Sequence, residues 1–131
     1  MTTDLQYLAG STALTFVMLL SASLIRARAW TLQGTLLAVG NRDALPEPTP
    51  LSGRADRAAR NMLENLVLFV AALLVARLAG AEPATVASAS AIFFWARVAY
   101  FAVYLGGIPY VRTGIWAIGV YAVATLLLAA H

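Results

Sequence analysis

Residues Leu5 to Ile25 form a run of 21 residues without a single charged side chain. At a rise of about 1.5 Å per residue, a helix of that length crosses a hydrocarbon layer roughly 30 Å thick. A second uncharged run covers the eighteen residues from Thr113 to Ala130, and two longer apolar stretches with a few charges lie between them. These runs predict an all-α integral membrane protein, a four-helix bundle that forms one domain over residues 1–131. The predicted helices cover residues of about 5–28, 51–79, 83–106 and 110–130.

The composition supports a membrane protein and excludes several kinds of site. Hydrophobic residues make up 61% of the chain and charged residues 11%, whereas soluble domains have about half and about a quarter. With no cysteine and one histidine, the terminal His131, the chain has too few ligands for a zinc or haem centre, so no metal is expected. Nine arginines outnumber six acidic residues, which gives a net charge of +3. The arginines do not form a basic stripe interleaved with aromatic residues. Nucleic-acid binding is therefore not expected.

The segment of about 31–50 is the only stretch that is clearly outside the membrane. Its prolines at positions 46, 48 and 50 favour extended backbone, which predicts a connecting loop. Thr49 is a suitable N-cap for the second long helix, with Pro50 at the first helical position. Six arginines lie in or beside this loop and only Arg77 lies on the opposite side. The positive-inside rule then places the loop and Arg112 in the cytoplasm, with both termini extracytoplasmic.

Polar side chains form a patch where the second long helix enters the membrane. Arg57, Asn61 and Glu64 are spaced i, i+4 and i+7, so they share one helix face, and Arg60 lies on the adjoining stripe. The residues that follow have no charge until Arg77. Such groups at membrane depth must be paired, solvated in a cavity or bound to a ligand.

The third long helix has a matching set, Arg97, Tyr100 and Tyr104, again on one face. An arginine facing lipid at that depth would cost from about 3 to more than 10 kcal/mol, so Arg97 must face protein or water. One interpretation is a structural ion pair between Arg97 and Glu64. The other interpretation is a cavity that suits a small polyanion, because Arg97 and further arginines give it a surplus of positive charge. The further arginines are Arg26, Arg57, Arg60 and Arg112.

With both motifs in view, the chain resembles the MAPEG family, the membrane-associated proteins of eicosanoid and glutathione metabolism. The resemblance lies in Arg57-x-x-x-Asn61-x-x-Glu64 and in Arg97-x-x-Tyr100-x-x-x-Tyr104, and it covers most of the chain. The second segment looks like the corresponding segment of leukotriene C synthase and the microsomal glutathione transferases. The chain resembles the bacterial branch of the family, which implies a multi-pass protein of the bacterial inner membrane. It departs from the mammalian enzymes at Asn65 and at Val67, where a proline is common.

The resemblance implies a homotrimer that binds glutathione as co-substrate between neighbouring subunits. It implies that Arg112 stabilises the thiolate and that the remaining patch residues bind the peptide. These binding residues are Arg26, Arg57, Arg60, Asn61, Glu64, Arg97, Tyr100 and Tyr104. A lipophilic small molecule would enter from the membrane lipid as the electrophile. Two other readings of the same residues remain open: a non-catalytic structural network, and a site for anionic lipid headgroups.

Overall fold

The computed structural model describes all residues, 1–131, and contains helices only. The five helices are α1 (Thr3–Ala27), α2 (Leu32–Val39), α3 (Pro50–Leu78), α4 (Pro83–Leu105) and α5 (Pro109–Ala129). Four of them, all except α2, are long and apolar enough to cross a membrane. The predicted all-α membrane bundle is confirmed.

Proline marks the start of each long helix after the first. Pro50, Pro83 and Pro109 are the first residues of α3, α4 and α5, where the missing N–H costs nothing because the first helical N–H groups have no intrahelical acceptor. At α3, Thr49 also caps the helix: its side chain accepts a hydrogen bond from the Ser52 N–H, and the Ser52 hydroxyl accepts one from the Thr49 N–H. The predicted N-cap is confirmed.

The four long helices are arranged with α3 and α4 in the middle. Both α1 and α5 contact α3 and α4, but α1 and α5 do not contact each other. Small residues on α3, among them Ala55, Ala58 and Ala72, are fully buried and allow close helix approach. Phe69 of α3 and Phe93 of α4 stack with their ring centroids 4.1 Å apart. Arg97 lies one helical turn after Phe93, on the same face of α4.

One prediction about the connecting segment is wrong. A loop was expected over about 31–50, whereas Leu32–Val39 forms the short helix α2. Thr31 caps it by accepting a hydrogen bond from the Gly34 N–H at 2.9 Å. Pro46 and Pro48 do lie outside any helix, but this stretch begins only at Pro46 and leaves the residues before it free to form a helix.

Candidate functional site

The guanidinium of Arg97 is enclosed between α3, α4 and α5, and Arg97 is only 1% exposed. One terminal nitrogen donates to Asn61 Oδ1 at 3.1 Å and the other donates to Asn65 Oδ1 at 3.2 Å. The ion pairs of the structure are Arg60–Asp56 and Arg77–Asp4, so no carboxylate neutralises Arg97. A buried positive charge held by two neutral amides is unusual, because buried charges are normally paired.

The proposed pair between Arg97 and Glu64 does not form within the protomer. Asn61 and Asn65 are one helical turn apart and face α4, whereas Glu64 lies on the neighbouring stripe and is exposed. The amide of Asn65 also donates to the Asn61 carbonyl oxygen at 2.8 Å. Asn65 is a site residue that the sequence reasoning missed, although its i+4 spacing from Asn61 was a usable signal.

Aromatic rings and a glycine complete the enclosure of Arg97. Its guanidinium carbon lies 5.3 Å from the Phe93 ring centroid and 5.5 Å from that of Tyr100, distances at which a cation is attracted by the ring. On α5, Gly119 leaves room for the charge: a Cβ there would lie 2.3 Å from a terminal nitrogen of Arg97. Gly119 is therefore a second residue that only the structure connects to the site.

Arg97 determines which way the Asn61 amide points. An arginine has no acceptor, so the Asn61 oxygen must face it, and the Asn61 NH₂ group is left to donate elsewhere. Asn61 lines a cavity of about 230 Å³ together with Tyr100, Arg112, Thr113 and Trp116. The cavity is therefore lined by an amide, a phenol and a guanidinium, groups that can donate hydrogen bonds to anionic or carbonyl oxygens of a ligand.

More positive charge lies beside this cavity. The Arg57 Nε donates to the Tyr104 hydroxyl at 3.1 Å, and the Arg112 guanidinium lies 4.9 Å from the Tyr104 ring centroid. Arg57 and Arg112 thus approach the same tyrosine from α3 and α5. Neither forms an ion pair. We call the residues Arg57, Asn61, Arg97, Tyr100, Tyr104 and Arg112 the cationic cluster.

Three predicted site residues lie apart from the cationic cluster. Arg26 donates to the Pro46 carbonyl oxygen and lines a different groove, of about 340 Å³, between α1 and α3. Arg60 lines the same groove and pairs with Asp56 at 3.3 Å, in a bridge whose side chains are both largely exposed. Glu64 lines neither cavity. The protomer therefore brings six of the nine predicted residues together and leaves Arg26, Arg60 and Glu64 on other surfaces.

Comparison with known proteins identifies the family. A comparison with curated proteins finds no match. The model of the MAPEG family matches residues 5–131, which is nearly the whole chain. The match includes α3, α4, α5, all but the first two residues of α1, and every residue of the cationic cluster. The chain is a multi-pass membrane protein that belongs to the MAPEG family.

Proposed function

We propose that the protein binds glutathione, or a similar small anionic thiol, at the cationic cluster and conjugates it to lipophilic electrophiles. The observation that carries the proposal is the buried Arg97 charge, which has no carboxylate partner and is hydrogen-bonded to Asn61, a residue that lines the cavity containing Arg112. The family supports the choice of ligand, since it includes glutathione transferases and related enzymes.

The charge balance of the cluster supports an external anion. Arg57, Arg97 and Arg112 contribute three guanidinium groups, and none forms an ion pair in the protomer. Guanidinium groups bind carboxylates in charge-assisted hydrogen bonds that are roughly twice as strong as neutral ones. A tripeptide thiol with two carboxylates would supply the missing negative charge.

The size and place of the cavity support a site shared between protomers. Ligand pockets usually enclose about 300–1,000 Å³, whereas the cavity beside Asn61 has about 230 Å³. If α3 leaves the apolar layer at Leu78, a layer of roughly 30 Å contains about 20 residues of the helix at about 1.5 Å each and extends back to residue 58. The exposed Glu64 carboxylate then lies within the apolar layer. A neighbouring protomer in a homotrimer would cover Glu64 and bring its own Arg26 and Arg60 to the ligand.

Arg112 is the residue to which we assign the chemistry. A free thiol has a pKa of about 8.5, and a guanidinium beside it favours the thiolate, the nucleophilic form. The thiolate sulfur would form a carbon–sulfur bond with the electrophile, whose leaving group departs with the electron pair, or whose carbanion takes a proton after addition. The electrophile would arrive through the bilayer beside α5. In this proposal the protein lies in a bacterial inner membrane, and its arginine-rich end faces the cytoplasm.

Titration calorimetry with glutathione on the purified protein in detergent tests the proposal. We expect saturable binding in the wild type and binding weakened about 10- to 100-fold in Arg112→Gln, because the lost charge-assisted hydrogen bonds contribute about 1.5–3 kcal/mol. Arg28→Gln is the matched control, since Arg28 is exposed, makes no ion pair and lies outside the cluster. Turnover with a model aryl halide should fall in Arg112→Gln alone.

Two outcomes would overturn the proposal. In the first outcome, the wild-type protein gives no heat with glutathione and Arg97→Ala lowers its thermal stability. The hydrogen-bond network around Arg97 would then have a structural role only. Binding of anionic phospholipid that glutathione does not displace would make the cluster a lipid headgroup site.

A further inference from the structure

The short helix α2 exposes a wholly apolar face. Leu32 and Val39 are each 80% exposed and Leu36 is 63% exposed. The three residues are spaced i, i+4 and i+7, so they lie on one side of the helix. Trp30, just before the helix, is 70% exposed. No residue of α2 is charged, and nothing in the protomer covers this face.

The orientation of this face is fixed by contacts on the opposite side of α2. Gly34 packs so closely on the end of α1 that a Cβ would lie 2.0 Å from the Arg28 carbonyl oxygen and 2.5 Å from that of Ala27. The Thr35 hydroxyl donates to the Ala29 carbonyl oxygen at 2.8 Å. With Gly34 facing α1, a helix of 3.6 residues per turn directs Leu36 almost directly away from it.

The position of α2 follows from the length of α1. The 25 residues of α1 extend about 37 Å, enough to cross a hydrocarbon layer of roughly 30 Å, so α1 ends at a membrane boundary. Only four residues separate Ala27 from the start of α2. Arg28 and Trp30 in this connection are both exposed, and both residue types favour the headgroup level, where arginine can pair with lipid phosphate.

We propose that α2 and Trp30 form an interfacial membrane anchor, with Leu32, Leu36 and Val39 inserted at the boundary between headgroups and acyl chains. The occupant of this face is phospholipid of the leaflet in which α1 ends. Leucine and tryptophan on one exposed face are features of such anchors, and only a short connection separates α2 from a membrane-spanning helix. The proposal does not depend on any ligand at the cationic cluster.

A nitroxide at position 36 tests the proposal directly. Because the chain has no cysteine, Leu36→Cys carries the only label in protein reconstituted into bilayer nanodiscs of phosphatidylcholine and phosphatidylglycerol. We expect collisions with oxygen to exceed those with a water-soluble nickel chelate. The control, Glu47→Cys on an exposed part of the proline-rich segment, should show the reverse. Nickel access equal to that of the control would overturn the proposal. Exclusion of both reagents would also overturn it, since a second copy of the chain would then cover the face.

Native fluorescence gives a second measurement that needs no change in α2. Trp95→Phe combined with Trp116→Phe leaves Trp30 as the only tryptophan. Lipids brominated near the top of the acyl chains should reduce its emission about twofold or more, because an indole at headgroup level contacts those positions. Emission that bromolipid leaves unchanged, but aqueous acrylamide quenches, would show that Trp30 lies in water and would contradict the anchor.

Discussion

Replacing Gly119 by alanine tests how Arg97 is held. The added Cβ would lie 2.3 Å from a terminal nitrogen of Arg97 and 3.0 Å from its Cζ and Nε. The guanidinium lies near the rings of Phe93 and Tyr100 and is hydrogen-bonded to α3, so these contacts restrict its movement away from α5. Gly119→Ala therefore either displaces Arg97 from both amides or pushes α5 outward.

The expected loss of stability is several kilocalories per mole. Each hydrogen bond from a charged donor contributes about 1.5–3 kcal/mol, and overpacking a close-packed interior costs about 1–3 kcal/mol. Since α5 can relax in part, we expect Gly119→Ala to lower the free energy of unfolding by about 3 kcal/mol. The same displacement would turn the Asn61 amide and weaken glutathione binding.

Unfolding by a denaturing detergent, followed by circular dichroism, measures this loss. Gly114→Ala is the matched control, because Gly114 lies in the same helix and a Cβ there meets nothing within 4 Å. That control should be neutral or gain up to about 1 kcal/mol, since alanine favours helix over glycine. Equal stability of the two variants would refute the enclosed position of Arg97.

Two further substitutions test the charges of the bundle. Asn65→Asp should pair with Arg97 and so remove one positive charge from the cationic cluster. A unit charge that attracts an anionic ligand over about 10 Å, at an effective dielectric of about 20, contributes about 1.7 kcal/mol. The glutathione affinity measured by calorimetry should therefore fall more than tenfold. Unchanged affinity in that variant would contradict an uncompensated charge at the site, and Asn65→Leu, which adds no charge, is the comparison. At the opposite end of the bundle, Arg77→Ala leaves the buried Asp4 carboxylate without the partner that lies 3.1 Å away. This change should lower the free energy of unfolding by about 1–3 kcal/mol in the same detergent assay. Adding Asp4→Asn should recover most of that loss, and a double variant no more stable than Arg77→Ala would show that the ion pair is not its cause.

The long helices could be predicted because the membrane leaves few alternatives. An uncharged run such as Leu5 to Ile25 must satisfy its backbone internally in lipid, and a helix does so. The helix α2 could not be found in this way, because it has only eight residues and includes Gly34, and a short helix depends on its contacts with the rest of the protein.

The site was only partly predictable, for a geometric reason. Periodicity places residues on a face, which is how Arg57 was grouped with Asn61 and Tyr100 with Tyr104. It does not say which neighbouring helix that face meets, and the difference of one position between Glu64 and Asn65 decides which side chain reaches Arg97. The separation of Arg26 from the cationic cluster likewise depends on how the helices are arranged.

The most direct test is a structure of the protein determined with glutathione in a lipid bilayer. We predict density for the thiol peptide in the cavity beside Asn61 and Tyr100, with its sulfur near Arg112 and its far end against Arg26 of a neighbouring protomer. An empty cavity at saturating glutathione, with Arg57 and Arg112 paired to carboxylates of a neighbouring protomer, would contradict a binding site for an external anion.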